Sequence, residues 1–237
     1  NNDSTEAVIG QFTGLIEGAS VTISGQEFVI SYAGGTDNND VVLTAVIPTT
    51  DVTLDGSNNL VINDVTPSGN DDTLTIQSDT TNSRFVISNT SAVVTSVIAG
   101  AVGSGTNSVT IPFASVAGGT IDINTLGGDD SLTIDFSLGN FSKTIDYDGG
   151  TENGGGDSLT LTGGGTFASL QVDHTDLDTG IINVTGNSAI SYDELEPITS
   201  TITADSVTLN FSTATETITV ASGGAGATTV TSTAGES

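Results

Sequence analysis

Gly127-Gly128-Asp129-Asp130-Ser131-Leu132-Thr133-Ile134 is the stretch whose reading decides the fold. Two glycines allow a tight turn, and two aspartates can hold it by accepting backbone N–H groups. The turn runs straight into a strand that alternates Leu and Ile with Ser and Thr. The pattern returns as Gly69–Ile76 (Gly-Asn-Asp-Asp-Thr-Leu-Thr-Ile) and as Gly154–Leu161 (Gly-Gly-Gly-Asp-Ser-Leu-Thr-Leu). Looser copies are Asp37–Thr44 and Thr213–Val220. A recurring turn-plus-strand unit is the sequence mark of a solenoid, whose units bury their apolar faces on one another.

The acidic turn positions are Asp40, Asp72, Asp130, Asp157 and Glu216, with gaps of 32, 58, 27 and 59 residues. Read as one, two, one and two units of roughly 29 residues, they predict a parallel β-helix. About eight rungs at about 4.8 Å each would stand about 40 Å tall. Short strands at 8–12-residue spacing suit tandem antiparallel β-sandwiches as well, and these are the alternative. Either way the chain reads as all-β. Its apolar residues are mainly Val, Ile and Leu, while Met is absent and Lys plus Arg number two. Pro48–Thr50 interrupts the pattern and divides the chain into 1–47, the end of one β-repeat block, and 48–237, a second one. The apolar run Ala92–Ala101 is read as a buried strand pair. The glycine-rich stretches Gly100–Ser108 and Gly149–Gly156 are read as protruding loops. Neither terminus offers a polar cap, which predicts open ends.

Composition narrows the partners. Twenty-nine acidic residues face Arg84 and Lys143, a net charge of −27. Such a surface repels nucleic acid and anionic lipid. Salt or divalent cations would relieve its self-repulsion. There is no cysteine, so disulfides and thiolate chemistry are excluded. No apolar run is long enough to span a membrane. Asn1 in place of an initiator Met points to a cleaved signal peptide or a piece of a longer chain.

Phe28–Val46, Phe-Val-Ile-Ser-Tyr-Ala-Gly-Gly-Thr-Asp-Asn-Asn-Asp-Val-Val-Leu-Thr-Ala-Val, resembles the closing segment of β-helical repeat blocks in autotransporter-type and giant bacterial surface proteins. Asp51–Ser237 looks like the start of a further block in large Asp/Thr/Gly-rich secreted proteins of planctomycete-like bacteria. The resemblance implies an extracellular, repetitive, non-catalytic protein of adhesin or matrix type. The same segment is similar to the calcium-binding nonapeptide Gly-Gly-x-Gly-x-Asp-x-U-x, which Gly34, Gly35 and Asp40 match. Between them, Asp37-Asn38-Asn39 carries one extra residue. At the other turns only the later Gly, the Asp and the apolar position match.

Two roles are open for the turn carboxylates. Asp37, Asp40, Asp71, Asp72, Asp129, Asp130 and Asp157 sit in turns that expose carbonyls, as a Ca²⁺ shell of six to eight oxygens needs. The same residues could instead cap their turns by accepting backbone N–H groups. His174, beside Asp173 and Asp176 and with Asp146 and Asp148 upstream, is the one candidate for acid–base chemistry. There is no Trp, and two basic residues in all to neutralise a uronate, so no enzyme is expected. Asn2, Asn89, Asn140, Asn183 and Asn210 head Asn-x-Ser/Thr sequons. The expected function is mechanical: a secreted repeat unit or protomer of a surface fibre or layer, assembling head to tail through terminal strands. The alternative is a calcium-dependent adhesin or carbohydrate-binding domain of a giant surface protein, with glycans or other surface proteins as partners.

Overall fold

The computed structural model describes residues 8–23, 26–36, 38–45, 49–65, 70–152, 154–195, 197–211, 217–224 and 227–231. Asp37, Gly69 and Glu216, members of the predicted turns, lie outside them. Strand content is 53% and helical content 3%, which settles the class as all-β. The helical turns are two 3-10 segments, Phe113–Ser115 and Phe136–Leu138. No helix among the described residues is long and apolar enough to cross a membrane. Two compact units divide between Ile47 and Pro48.

The first unit is an antiparallel meander of β1 (Ser20–Ile23), β2 (Gln26–Gly34) and β3 (Asp40–Ala45). Ile30 is its buried apolar side chain. Tyr32 ties the preceding segment to the sheet: its hydroxyl donates to Leu15 O and accepts from Phe12 N, both at 2.8 Å.

The second unit runs β4 (Thr49–Leu54), β5 (Leu60–Asp64), β6 (Thr73–Asp79), β7 (Arg84–Asn89), β8 (Val93–Ser96), β9 (Ser108–Pro112) and β10 (Thr120–Asn124). It continues through β11 (Gly127–Gly128), β12 (Ser131–Asp135), β13 (Thr144–Asp148), β14 (Thr151–Glu152), β15 (Ser158–Thr162), β16 (Thr166–Phe167) and β17 (Leu170–His174). The last strands are β18 (Gly180–Val184), β19 (Ile190–Asp193), β20 (Ile198–Ser200), β21 (Thr203–Ala204), β22 (Val207–Asn210), β23 (Thr219–Gly224) and β24 (Ala227–Thr231).

Two parallel ladders dominate, β5-β10-β13-β19 and β6-β12-β15-β20. Short parallel pairs, β11 with β14, β16 with β21 and β17 with β22, lie between or beside them. Registers follow chemical identity. Leu74, Leu132, Leu159 and Ile198 align on the inner side, and Thr75, Thr133, Thr160 and Thr199 on the outer. In the other ladder Leu60, Ile121, Ile145 and Ile190 align inward. A one-residue slip would turn each apolar row to solvent, so the alternation itself fixes the register. The inward residues of β5, β6, β10, β12, β13 and β15 are 0–2% exposed.

The sheets are mixed and open, because the parallel ladders are flanked by antiparallel strands. The 58 residues between Asp72 and Asp130 are therefore not two equal units. Along with β10, they hold the antiparallel strand β7 on β6, then β9 on β7, while β8 lies parallel on β4. Bridges Val94–Thr106 and Val102–Thr110 cover the free sides of β8 and β9. Beneath them Val94, Ile98, Val109, Ile111 and Val116 are buried. This end of the stack is thus covered, against the expectation of open ends. It also accounts for Ala92–Ala101, which forms the single strand β8 and a turn with Val97 exposed. At the other end β20, β21 and β22 each pair on one side among the described strands. Their inward side chains Ile198, Ala204 and Leu209 are only partly buried. Gly149–Gly156 supplies β14 and does not simply protrude. Thr219–Val220, in the last copy of the repeat, belongs to the antiparallel pair β23–β24.

Ile134 is fully buried in the middle of its ladder and Thr133 is its outward neighbour. Ile134→Ala should cost about 3 kcal/mol in a guanidinium unfolding curve, by lost burial plus the cavity left behind. Thr133→Ala should stay within about 0.5 kcal/mol.

Candidate functional site

Parallel pairing of β6, β12 and β15 brings three copies of the recurring turn on top of one another. The second aspartates of the turns, Asp72, Asp130 and Asp157, form a buried column, each at most 1% exposed. Asp72 N donates to Asp130 Oδ1 at 2.6 Å, and Asp130 N donates to Asp157 Oδ1 at 2.7 Å. The first aspartates form an outer column with the opposite polarity. Asp129 N donates to Asp71 Oδ1 at 3.0 Å, and Gly155 N donates to Asp129 Oδ1 at 2.9 Å. Asp71, Asp129, Asp130 and Asp157 thus each satisfy a backbone N–H of a neighbouring turn that the strand ladder cannot reach.

The other motif residues fit the same stack. Ser131 and Ser158 each donate their N–H and hydroxyl to the carbonyl of the inner aspartate below, Asp72 O and Asp130 O. Gly128 has φ +143°, and a Cβ there would stand 2.5 Å from Asn70 O. A Cβ on Gly155 would stand 2.5 Å from Asp129 Oδ2. The glycines therefore permit close approach of successive turns as well as the bend itself.

Asn89 ends the column. Its amide donates to Asp72 Oδ1 at 2.7 Å and Thr50 Oγ1 at 2.8 Å, and its Oδ1 accepts Ser91 N at 2.9 Å. Asn89 is fully buried, so this sequon is inaccessible to a glycan in the folded chain. Asp64 on β5 lies beside the column, as its repulsion of Asp72 and Asp130 attests. Tyr147 on β13 is 0% exposed, and no described residue meets its hydroxyl in good hydrogen-bond geometry, Thr125 being the hydroxyl neighbour that opposes the rise of its phenol. Asp72 Oδ2 and Asp130 Oδ2 likewise have no partner in such geometry among the described residues. Burial pushes the carboxyls of Asp72 and Asp130 up to about 6, with neighbouring aspartates adding to the rise. Hydrogen bonds oppose it, from Asn89 to Asp72 and from Asp72 N to Asp130. Burial also raises the Tyr147 phenol, and Asp157, Asp130 and Asp72 reinforce the shift.

Of the expected calcium ligands, Asp71, Asp72, Asp129, Asp130 and Asp157 are brought together. Asp40 opens β3 in the first unit. Among the described residues no three Asp, Glu or His side chains converge as a cation site. Asp71, Asp129, Asp130 and Asp157 instead accept backbone N–H groups and Asp72 accepts the Asn89 amide, so these residues are hydrogen-bond acceptors in this fold. The capping they perform runs from turn to turn, where the sequence suggested capping within a turn. Asp64, Thr50 and Tyr147 carried no motif, and Asn89 carried only a sequon, which points to a different role. For this site their one signal was position, a polar residue ending or interrupting an apolar alternation.

The His174 cluster is dispersed and engaged. His174 Nδ1 lies 3.0 Å from Tyr192 Oη, and its ring stacks on Phe211 at 5.3 Å. Asp173 accepts from Gln171 and Asn210, Asp176 from Thr179 N, and Asp146 from Ser191 Oγ. Asp146 and Asp148 stand on β13, away from the β17 position of Asp173. No family model, no curated protein and no solved structure matches the chain.

Asn89→Ala should cost about 3 kcal/mol, because it strips partners from buried Thr50 and Asp72 and from two backbone N–H groups. Tyr147→Phe should leave stability unchanged or raise it by about 1 kcal/mol, since it removes a buried hydroxyl that lacks a partner in good geometry. Urea unfolding of the two variants would separate these opposite signs.

Proposed function

We propose that this chain is an extracellular structural protein, a repeat unit or protomer of a surface fibre or layer, whose second unit is a short parallel β-helix. The observation that carries the reading is the difference between the two ends of the stack. One end is covered by β7, β8 and β9 with a buried apolar layer. The other finishes on β20, β21 and β22, with Val207 58% exposed although its register partner Leu170 is 5% exposed. Strand edges of this kind accept further strands. A contact between unlike surfaces that does not close into a ring builds a filament.

The amino-terminal meander is the natural counterpart. Its outer strands β1 and β3 each pair on one side among the described strands, and Ile23, Val41 and Leu43 are exposed. A three-stranded sheet with so small a core gains from cover. The acidic coat keeps flanks apart and leaves growth to the ends, where residues 197–211 carry one acid, Asp205. Calcium enters this reading as a screening counter-ion.

The test is light scattering and electron microscopy of the full chain over a concentration series, in NaCl and in CaCl₂ of equal ionic strength. Filaments should form in both salts, and Val207→Lys should shorten or abolish them. A chain that stays monomeric throughout, or Val207→Lys filaments as long as the wild type's, would overturn the reading. Filaments in CaCl₂ alone would move calcium from screening to a specific role.

A further inference from the structure

The inner aspartate column places several carboxyl groups together in the interior of an acidic protein, with neither Arg84 nor Lys143 bonded to them. Asp72 comes from the turn before β6, Asp130 from the turn before β12 and Asp157 from the turn before β15. Asp64 faces them from β5, Asp71 from the outer column, and Tyr147 from β13. The remaining polar neighbours, Asn89 from β7, Thr50 from β4 and Thr125 after β10, are neutral. The two basic residues are engaged elsewhere, Arg84 with Asp79 at 3.0 Å and Lys143 with Gly118 O. Buried charge of one sign is costly unless it is paired or neutralised.

Asp130 and Asp157 each keep the neighbouring turn in place through Oδ1, and Asp72 Oδ1 accepts from the Asn89 amide. The second oxygens of Asp72 and Asp130 are buried without a partner in hydrogen-bond geometry among the described residues, and Thr125 is the neighbouring hydroxyl that favours the charged forms of Asp130 and Tyr147. Among the described residues no group of side chains converges to hold a metal. A proton is the ligand that fits. On an Oδ2 it cancels a charge without disturbing the Oδ1 bond, and it turns an acceptor with no donor into a donor among acceptors.

We propose that the Asp72–Asp130 column is a proton-binding site, at which mild acid neutralises buried carboxylates and so tightens the stack of turns. The proton comes from solvent and adds to a carboxylate oxygen; no covalent bond in the chain changes. The site lies within one chain and does not depend on assembly. The sign follows from linkage. The folded carboxyls titrate at about 6, above the unfolded aspartate value of about 3.9, so folding favours the protonated form. Their stabilising effect is complete below the unfolded value and is lost as pH rises through the folded one. Asp55, Asp79 and Asp173 act in the opposite sense. Hydrogen bonds from Asn59, Asn82 and Asn210 respectively hold their carboxyls below the usual range, and the stability they lend is lost in stronger acid. Stability should therefore peak between about pH 4 and about pH 6.

The experiment follows thermal midpoint against pH for the full chain, alongside carboxyl carbon NMR titration of the wild type. Asp72→Asn/Asp130→Asn keeps both Oδ1 acceptors and removes the two ionisations. Asp129→Asn removes an outer charge from the same turn and serves as the control. The wild-type midpoint should rise by several degrees from about pH 8 to about pH 5, with an inflection near 6. The double variant should exceed wild type at about pH 8 and lose the inflection, while Asp129→Asn follows wild type. Asp72 and Asp130 carboxyl resonances, identified by their loss in the double variant, that titrate near 4, or a double variant parallel to wild type, would overturn the proposal. So would a calcium-specific rise in midpoint that the double variant abolishes, since the column would then hold a cation. If the double variant fails to fold, the wild-type NMR titration alone decides, by whether any carboxyl titrates near 6.

Discussion

Every level of this structure depends on one interaction, the hydrogen bond from a turn N–H to the aspartate of the adjoining turn. Parallel strands bond one another well along their length, but at a bend the backbone leaves its partner and its N–H groups lose their acceptors. Asp130 Oδ1 and Asp157 Oδ1 supply acceptors from the turn above, and Asp71 Oδ1 and Asp129 Oδ1 from the turn below. With both columns present, the turns are held from two sides. That fixes the height at which each strand starts, and the ladder Leu74-Leu132-Leu159 then meets in register. Serine in the next position repeats the device with its hydroxyl, and glycine keeps the approach open. The motif is thus an instruction for stacking.

This explains which parts of the fold were legible in the sequence. Strand positions were, because the alternation of Leu and Ile with Thr reports directly on an inside and an outside. The identity of the stacked turns was legible too, since Gly127–Ile134, Gly154–Leu161 and the copy ending at Ile76 carry the same chemistry. The count of turns was not. Equal spacing assumes that every unit adds a parallel strand, whereas β7 and β9 run antiparallel, as does β18 between β17 and β19. Local alternation is identical for the two directions, so nothing in Phe85–Ile87 distinguishes them. Direction is set by what lies on either side in the sheet, and that is tertiary information.

The site was legible in part for a related reason. Acidic residues in glycine turns suit two chemistries, cation binding and backbone capping, and composition cannot choose between them. The choice rests on where the second carboxylate oxygen points once the turns are stacked. Asn89 shows the limit most clearly. As sequence it is a glycosylation signal; in the fold it is sealed inside and bonded to Asp72 and Thr50.

Placement also divides the charge of −27 into populations that respond differently to their surroundings. Aspartates outside the column accept several donors each. Asp55 takes Ser57 N, Asn59 N and Asn59 Nδ2, and Asp79 takes Asn82 and Arg84. These donors favour the ionised form, so both carboxylates stay charged, Asp55 in an exposed turn that salt can screen and Asp79 buried beside Arg84. Asp72 and Asp130 have donors too, yet burial outweighs them, because one or two hydrogen bonds do not replace the lost hydration of a full charge. Salt cannot reach the inner column to screen it. The coat therefore answers to ionic strength and the column to pH. The same residue type in the same motif acquires two functions from a single step in position, Asp129 facing out and Asp130 facing in.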